Sequence, residues 1–302
     1  MNTAVAIFTY KRVDHLKSVI NSLKRNNDFE TYHFFIYSDA SRGVDDIKNV
    51  KNVRDYLLSL KSYSNFYIIE RQYNLGLAKN LTQGITETLI HFQSVIVIED
   101  DILVTDNFLS TMSTNLNNHY NNKKIWQING FNFPIKSDKF TFYQSKYSYS
   151  WGWGTWRDRW NKFVFDPQYF INKWTFFDKY FFDVNANGIY WPQLLANYKG
   201  SLRTWAVLWQ ATIYDHKGFT LTPTISMVVN IGFDGTGENC SDISLTSNDT
   251  YVNINNNILT ENAISSLIFE KKEKQILITI LRPNLIRRYL LKIKLIFEYL
   301  IY

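Results

Sequence analysis

The chain has 302 residues, of which 45% are hydrophobic and 17% aromatic, so it is long and apolar enough to bury a large core. A single cysteine, Cys240, excludes internal disulfides and any zinc site built from cysteines. The net charge of +6 is concentrated in residues 270–302, where eight basic residues and three acids give +5 and leave +1 for the rest. A nearly neutral body argues against nucleic acid as a partner.

Strand-like and helix-like segments alternate through the first 120 residues. Strands are predicted at 4–9, 33–37, 66–70 and 95–98, and helices at 13–24, 45–60, 76–91 and 107–118. This βαβα order predicts an α/β fold with a mostly parallel, Rossmann-like sheet flanked by helices. After residue 120 the pattern changes to short strand-like runs, loops and dense aromatics, which we interpret as a second half of the same domain.

The fourth predicted strand ends in three adjacent carboxylates. Val95-Ile96-Val97-Ile98 is typical of a buried parallel strand, and Glu99-Asp100-Asp101 follows it directly. Open α/β sheets bind their ligands at the carboxyl ends of such strands. Three adjacent negative charges favour a bound cation, and oxygen ligands suit Mg²⁺ or Mn²⁺. The alternative is an acidic turn that leads into the next helix, with Thr105 and Asp106 as its cap.

Further motifs follow the other predicted strands in order. They are Phe8-Thr9-Tyr10-Lys11-Arg12, Ser38-Asp39, Arg71 with Asn74-Leu75-Gly76-Leu77, Ile128-Asn129-Gly130-Phe131-Asn132, Ser150-Trp151-Gly152-Trp153-Gly154-Thr155-Trp156 and Asn230-Ile231-Gly232-Phe233-Asp234-Gly235-Thr236-Gly237. Together with the acidic triplet, this order resembles a GT-A-fold nucleotide-sugar glycosyltransferase. The later motifs resemble a bacterial branch related to the eukaryotic N-acetylglucosaminyltransferase that initiates complex N-glycans. The resemblance covers roughly residues 3–240.

The resemblance implies roles for the residues on the nucleotide side. Asp101, the last acid of the triplet, would be the ligand of Mn²⁺ or Mg²⁺, and the metal would neutralise a departing nucleoside diphosphate. The donor-binding residues would be Thr9, Tyr10, Arg12, Asp39, Arg71, Asn74, Gly76, Glu99 and Asp100. Tyr10 would stack on uracil and Asp39 would bond to it, whereas Arg71 beside a helix start suits a diphosphate.

Structural alternatives stay open for several of these residues. The segment at Tyr10 also fits a solvated basic turn that opens a helix, and Ser38-Asp39 fits an ordinary helix cap. Arg71 equally fits an ion pair that holds one of the three acids in place. Contact with a diphosphate and an ion pair with one of the acids are compatible roles for Arg71.

The tryptophan-rich motif is the candidate acceptor site. Glycines permit close approach of the backbone, and indole rings are flat walls for sugars, so Trp151, Gly152, Trp153 and Trp205 are the predicted acceptor-binding residues. The alternative is an aromatic core cluster. We expect the backbone of the loop to line the acceptor pocket, with Trp153 and Trp156 partly packed inside.

The catalytic base is the least defined part of this interpretation. Inverting transfer needs a carboxylate to take the proton of the acceptor hydroxyl. Relatives carry an acid near the segment that here reads Arg203-Thr204-Trp205-Ala206-Val207-Leu208-Trp209, which has none. The candidates are Asp234, which we favour because glycines surround it, Asp158 and Glu238. Asp158 lies between two arginines and also fits an ion-paired structural role.

Residues 283–302 form a predicted amphipathic helix. Arg287, Arg288, Lys292 and Lys294 project to one side, and Ile286, Leu290, Ile293 and Phe297 project to the other, with Leu295 and Tyr299 blurring the division. Such a helix can lie at an anionic membrane surface, or it can dock on the body or on a second copy. The predicted division is residues 1–255 as a GT-A domain, with a nucleotide-binding half at 1–120 and an acceptor-binding half at 121–255, and residues 256–302 as a basic helical tail.

These features predict a metal-dependent, inverting glycosyltransferase that moves a sugar from a UDP-linked donor to a glycan or lipid-linked acceptor in bacterial surface polysaccharide synthesis. The start of the chain lacks signal-peptide features, so we expect a cytoplasmic protein, peripheral on the inner face of the plasma membrane. One alternative is a sugar-phosphate nucleotidyltransferase, which would need a glycine-rich loop where Thr9-Tyr10-Lys11-Arg12 has none. The other is a non-catalytic glycan-binding or scaffold protein of the same fold.

Overall fold

The computed structural model describes residues 2–135, 137, 139–234, 267–281, 293–295, 297–299 and 302. The strands are β1 (Thr3–Thr9), β2 (His33–Ser38), β3 (Phe66–Glu70), β4 (Ser94–Glu99), β5 (Ile102–Val104), β6 (Ile125–Asn129), β7 (Phe142–Ser145), β8 (Trp153–Trp156), β9 (Phe219–Pro223) and β10 (Val228–Asn230). The helices are α1 (Val13–Lys24), α2 (Val44–Ser59), α3 (Leu77–His91), α4 (Phe108–Asn118), α5 (Arg157–Trp160), α6 (Pro167–Lys173), α7 (Phe176–Phe182), α8 (Trp191–Tyr198), α9 (Ala206–Asp215) and α10 (Leu267–Leu281).

Eight strands form one mixed sheet in the order β3-β2-β1-β4-β8-β6-β9-β7. The first four are parallel, and so is the pair β6 and β9, whereas β8 runs antiparallel to both of its neighbours and β7 runs antiparallel to β9. The remaining strands, β5 and β10, form a short antiparallel pair. The predicted α/β fold with a mostly parallel sheet flanked by helices is therefore confirmed.

Alternate residues of the central strands face opposite layers of helices. On β1, Val5 and Ile7 belong to a core shared with α1, α2 and α4, whereas Ala6 and Phe8 pack with residues of α3 and α9. Burial on both faces explains why β1 and β4 are apolar between their polar end residues, since a strand with helices on both sides has no solvent-facing positions. The polar residues that follow these strands consequently gather at one edge of the sheet.

A helical layer built from the second half of the chain adds two further cores. One joins α6, α7, α8 and α9 to the C-terminal residues Leu295 and Tyr299, and the other joins α10 to the turn after α7. Two of these helices begin at local caps: Asp166 accepts a hydrogen bond from the Gln168 amide, and Thr175 forms a capping box with Asp178. Within the described residues, no helix combines the length and the apolar character that crossing a bilayer requires.

Candidate functional site

A pocket of about 250 Å³ opens at the carboxyl ends of the central parallel strands. The residues after β1, β2 and β4 supply one wall of it, as the topology of an open α/β sheet favours. The lining residues used below are Thr9, Tyr10, Lys11, Arg12, Asp39, Arg42, Asn74, Gly76, Glu99, Asp100, Asp101, Trp151, Trp205, Asn230 and Phe233. The pocket therefore brings together most of the residues that the sequence motifs single out.

Two of the three adjacent carboxylates have distinct partners. Asp100 accepts hydrogen bonds from the Thr9 hydroxyl at 3.0 Å and from the Tyr10 amide at 3.2 Å, which ties β4 to the turn after β1. Arg12 Nη2 contacts both Asp100 and Asp101, the latter at 2.8 Å. Asp100 thus holds the turn in place, while Asp101 lines the pocket with one guanidinium beside it.

Burial shifts the pKa values of two of these acids, Glu99 and Asp101, upwards. It raises the pKa of the Glu99 carboxyl to about 8, and the negative charges of Asp101 and Asp100 act in the same direction. Burial also raises the pKa of Asp101, with the charge of Asp100 adding to the effect and Arg12 opposing it. Burial and the neighbouring negative charges therefore disfavour the ionised forms of Glu99 and Asp101, and a further cation would stabilise those forms.

The segment after β10 lies directly against Asp101. Pairing of β10 with β5 continues into a hydrogen bond from the Ile231 amide to the Asp101 carbonyl at 2.9 Å. Gly232 comes so close that a β-carbon on it would lie 2.3 Å from Asp101 Oδ2 and 3.0 Å from Arg12 Nη1. A glycine is required here because any side chain would occupy the space of the carboxylate.

Asp39 holds the entry of α3 beside the pocket. Its carboxylate accepts hydrogen bonds from the Leu75 and Gly76 amides, both at 2.9 Å, and Asn74 donates to the Ala40 carbonyl at 2.7 Å. Gly76 has φ of +72°, a left-handed conformation that glycine adopts without strain. Asp39 does not cap α2, the helix that follows it, because the N-cap of α2 is Gly43 and has no side-chain hydrogen bond. The Asp39 carboxylate instead ties the turn after β2 to the segment before α3, and it also lines the pocket.

Tyr10 is fixed at the mouth of the β1–α1 turn through its hydroxyl. The hydroxyl donates to Asp46 at 2.6 Å and accepts from the Arg42 amide at 2.9 Å, and Lys11 pairs with Asp46 at 2.8 Å. Burial and the bond to Asp46 raise the pKa of Tyr10 to about 12. The ring is therefore held as a neutral, oriented surface on the pocket wall.

Arg71 turns away from the pocket. Its guanidinium forms a paired contact with Glu87 at 2.9 and 3.1 Å, and Nε donates to Asn80 at 2.9 Å. It also stacks over the ring of Tyr37. The predicted ion pair with one of the three acids is made instead by Arg12, and the described cations on the pocket wall are Lys11, Arg12 and Arg42.

The tryptophans separate into two groups. Trp151 and Trp205 line the pocket, and Trp151 packs edge-on against Phe233 with ring centroids 5.6 Å apart. Trp153 is fully buried and stacks on the core side of Trp205, and Trp156 is fully buried as well. The expectation that Trp153 and Trp156 are only partly inside, with Trp153 at the acceptor, does not match the structure, because β8 inserts between β4 and β6 and directs both rings into core layers.

Gly152 serves packing in this structure. Its φ is +57°, and a β-carbon would lie 2.8 Å from Val228 Cγ1. It is absent from the pocket lining described above, although the neighbouring residue Trp151 is part of it. The loop backbone at Gly152 is thus fixed by its contact with β10.

The two candidate bases that the structure describes, Asp234 and Asp158, are not part of the pocket wall. Asp234 follows the lining residue Phe233, but its half-exposed carboxylate pairs with His15 at 3.2 Å. Asp158 pairs with Lys123 at 2.8 Å and Arg159 at 2.7 Å, in keeping with the ion-paired role noted above. Glu238 lies outside the described residues.

Arg42, Lys11 and Asn230 are among the residues of the pocket wall that sequence reasoning missed. Arg42 follows Asp39 in the same turn, Lys11 lies inside the quoted motif, and Asn230 opens the last one. The sequence signal that could have identified Arg42 is a basic residue three positions after Asp39, in the turn that follows a predicted strand. The side chain of Asn230 is partly used locally, since its Oδ1 accepts from the Gly232 amide at 2.7 Å.

The carboxylate oxygens at this site match the ligand preference of Mn²⁺ and Mg²⁺. Among the residues that the structure describes, no group of three or more His, Cys, Asp and Glu side chains could hold a metal ion. A metal at Asp101 would therefore need most of its ligands from a bound donor and from water. A nucleoside diphosphate is a donor of that kind.

No model of a known protein family matches the chain, and no curated protein matches it. Among solved structures, it is similar to S. aureus TarS in complex with UDP-GlcNAc, with 14% identity, a TM-score of 0.35 and coverage of 45% of this chain and 37% of that one. It is similar to mannosyltransferase PcManGT from Pyrobaculum calidifontis in complex with GDP-Man and Mn²⁺, with 13% identity, a TM-score of 0.38 and coverage of 52% and 45%. It is also similar to GalNAc-T7 with UDP, GalNAc and Mn²⁺, with 12% identity, a TM-score of 0.46 and coverage of 74% of this chain and 42% of that one. The chain thus spans less than half the length of each of these three structures.

Proposed function

We propose that the chain is a GT-A glycosyltransferase that transfers a sugar from a UDP-linked donor with the help of Mn²⁺ or Mg²⁺. The observation that carries the proposal is the position of Asp101 in a pocket at the carboxyl ends of parallel strands, with an oriented Tyr10 ring on the same wall. This arrangement offers a flat surface for a base, cations for a diphosphate and a carboxylate for a metal within one cavity.

On the donor side, the proposal assigns the nucleobase to the wall formed by Tyr10 and Asp39. We assign the diphosphate to the cations of the pocket wall, which are Lys11, Arg12 and Arg42, and Arg12 has a buried Nη1 without a hydrogen-bond partner. A metal bound at Asp101 would neutralise the charge that develops on the departing diphosphate. Arg12 would then share Asp101 with the metal while its free Nη1 reaches the phosphate.

On the acceptor side, we assign the sugar acceptor to the wall formed by Trp151 and Trp205. Inverting transfer requires a base, and Asp234 remains our candidate because it directly follows Phe233 at the pocket wall. In that role Asp234 exchanges its contact with His15 for the acceptor hydroxyl and takes its proton. The proposed acceptor is a glycan or lipid-linked glycan of a bacterial surface polysaccharide, met at the inner face of the plasma membrane.

The donor proposal is tested by titrating UDP into the protein with and without Mn²⁺ in a calorimeter. We expect binding that Mn²⁺ strengthens, and an Asp101→Asn variant that loses the metal-dependent part of the affinity. Asp55→Asn changes an exposed carboxylate that pairs with Lys51 on α2, and it is the matched control. If UDP fails to bind, or if Mn²⁺ affects Asp101→Asn as it affects the wild type, the proposal is wrong.

One observation favours a second candidate, a non-catalytic glycan-binding protein of the same fold. The acids on the described pocket wall are Asp39, Glu99, Asp100 and Asp101, and all of them lie on the donor side. Release of UDP from a panel of UDP-sugars, measured with and without acceptor glycans, separates the two functions. A protein that binds UDP and Mn²⁺ but never releases UDP from any of these sugars supports the second candidate.

A further inference from the structure

Two phenylalanines of α7 face solvent one helical turn apart. Phe177 is 67% exposed and Phe181 is 56% exposed, although Phe176 and Tyr180, one position earlier in each turn, pack into the helical layer. Residues four apart share one side of a helix, so these two rings form a continuous apolar strip. An exposed pair of large rings is unusual for a surface that contacts only water.

The C-terminal residues carry a second strip of this kind. Helical residues 293–295 and 297–299 pack on the body through Leu295 and Tyr299, both nearly fully buried, and leave Phe297 62% exposed and Ile293 41% exposed. Leu295 and Tyr299, which blur the amphipathic pattern in the sequence, therefore lie on the side of the helix that docks on the body. The side predicted to be apolar, with Ile293 and Phe297, remains open.

The two strips lie on neighbouring elements. The Tyr299 ring lies 6.0 Å from that of Phe176 at the start of α7, and its hydroxyl donates to Asp183 just after the end of α7. Docking through Tyr299 therefore fixes the C-terminal residues beside α7. The two strips of exposed side chains therefore belong to elements in direct contact.

The charge of the C-terminal sequence favours one partner chemistry. Lys292 and Lys294 flank Ile293 along the chain, and Arg287 and Arg288 precede it by six and five residues, whereas Glu298 is the one acid after residue 281. Lys294 is 72% exposed and lies 3.9 Å from Glu298. Aromatic side chains prefer the headgroup region of a bilayer, and nearby basic residues are attracted to anionic lipids. Apolar rings together with a concentrated positive charge are the combination that an anionic membrane surface binds.

We propose that Phe177, Phe181, Ile293 and Phe297 form a membrane-docking surface for anionic lipid. This inference rests on the membrane location in the proposed function and adds α7 to the tail as a site of contact. The rings would enter the headgroup region while the basic residues pair with lipid phosphates. Membrane docking involves no step of the transfer reaction. The UDP titration and the vesicle experiment can therefore give independent results.

The test is cosedimentation of the full chain with vesicles of phosphatidylcholine, with and without phosphatidylglycerol. We expect binding to the anionic vesicles, and a loss of about tenfold or more in partition for the double variant Phe177→Ser, Phe181→Ser. The matched control is Leu58→Ser, Ile90→Ser, which removes two apolar side chains of similar exposure from α2 and α3. It should bind vesicles as the wild type does.

A second variant, Phe297→Ser, tests the C-terminal strip in the same assay and should also lose partition. Calorimetric UDP binding, measured on each variant, shows that the fold and the donor site are intact. Equal partition of the wild type and both phenylalanine variants would overturn the inference. So would a wild type that ignores vesicles and forms a dimer that Phe177→Ser, Phe181→Ser dissociates in sedimentation velocity, because the surface would then bind a second copy.

Discussion

Gly232 lies closer to the carboxylate of Asp101 than any residue with a β-carbon could. In a Gly232→Ala variant the new methyl group would meet Asp101 Oδ2 at 2.3 Å, so either the carboxylate or the segment after β10 must shift. We expect affinity for UDP with Mn²⁺ to fall by about tenfold or more, since misplacing a ligand of the donor site is costly. Calorimetric titration of UDP with Mn²⁺ measures this change.

Gly43→Ala is the matched control for this prediction. Gly43 precedes α2, and a β-carbon on it would have nothing within 4 Å. The control should bind UDP as the wild type does. If Gly232→Ala and Gly43→Ala bind UDP with Mn²⁺ equally well, Asp101 does not bind the donor from the position that it has in this structure.

Glu273 is a buried acid that should make stability depend on pH. Its carboxylate accepts hydrogen bonds from Ser145 and Tyr149, and burial raises its pKa from 4.5 to about 7. Between these pH values the folded state retains a proton that the unfolded state has lost. The contribution of Glu273 to the free energy of unfolding should therefore fall by roughly 3 kcal/mol as the pH rises from about 4.5 to about 7.

The comparison of Glu273→Gln with the wild type isolates this effect. The variant cannot ionise, so urea unfolding across the same pH range should show a flatter profile and a higher stability than the wild type above pH 7. Glu70→Gln, which changes a partly exposed acid of β3 that pairs with Arg54, should retain the slope of the wild type. A Glu273→Gln profile that parallels the wild type would contradict the prediction.

The turn that links α7 to α8 depends on one buried carboxylate. Val184, Asn185 and Ala186 all have positive φ, an unfavourable conformation for residues with side chains. Asp183 offsets it by accepting hydrogen bonds from the Gly188, Tyr190 and Trp191 amides and from the Tyr299 hydroxyl. The turn and the C-terminal residues are consequently stabilised by the same group.

Removing the Tyr299 hydroxyl should weaken this element without abolishing it. Tyr299→Phe leaves the buried Asp183 carboxylate with three donors, so we expect the free energy of unfolding to drop by about 1–3 kcal/mol in urea. Tyr198→Phe, which alters a partly exposed ring on α8, is the control and should change stability by less than about 0.5 kcal/mol. A Tyr299→Phe variant as stable as Tyr198→Phe would show that the hydroxyl adds nothing to the turn.

The first half of the chain was predictable because local pattern and tertiary environment agree there. The predicted helix at 13–24 and strand at 66–70 match α1 and β3 residue for residue, and the other six elements differ by only one or two residues at their ends. Strands buried on both faces read as continuous apolar runs, and each following helix exposes one face. The grouping of Asp101 with its neighbours was predictable as well, because the carboxyl ends of parallel strands meet at one edge of the sheet.

The second half was less predictable because its arrangement depends on long-range pairing. Nothing in the local sequence of Trp153–Trp156 indicates that β8 inserts antiparallel between β4 and β6, which directs the indoles of Trp153 and Trp156 into the core. The bridging position of Arg12 likewise follows from the approach of two strand ends 88 residues apart. Periodicity and spacing contain no information about such contacts.

At the scale of the whole chain, the net positive charge and one strip of exposed apolar side chains occur in the same stretch of sequence. The body before residue 270 carries a net charge of +1, whereas the remainder carries +5 and contributes one strip of the proposed membrane-docking surface. Exposed charges act over roughly a Debye length, about 10 Å at 0.1 M salt. The attraction of the protein to an anionic surface should therefore be directed through this one end of the chain.

Lys294→Gln should weaken binding to anionic vesicles while preserving the apolar contacts. One basic residue near a membrane is worth about 1 kcal/mol, which corresponds to about a fivefold loss of partition in the cosedimentation assay. Raising the salt from about 0.1 M to about 1 M should remove most of the difference between wild type and variant, because the Debye length falls to about 3 Å. Lys51→Gln, at an exposed lysine of α2, is the matched control and should bind as the wild type does. Equal losses for the two variants would mean that the protein responds to its overall charge and that the membrane-docking surface has no electrostatic preference.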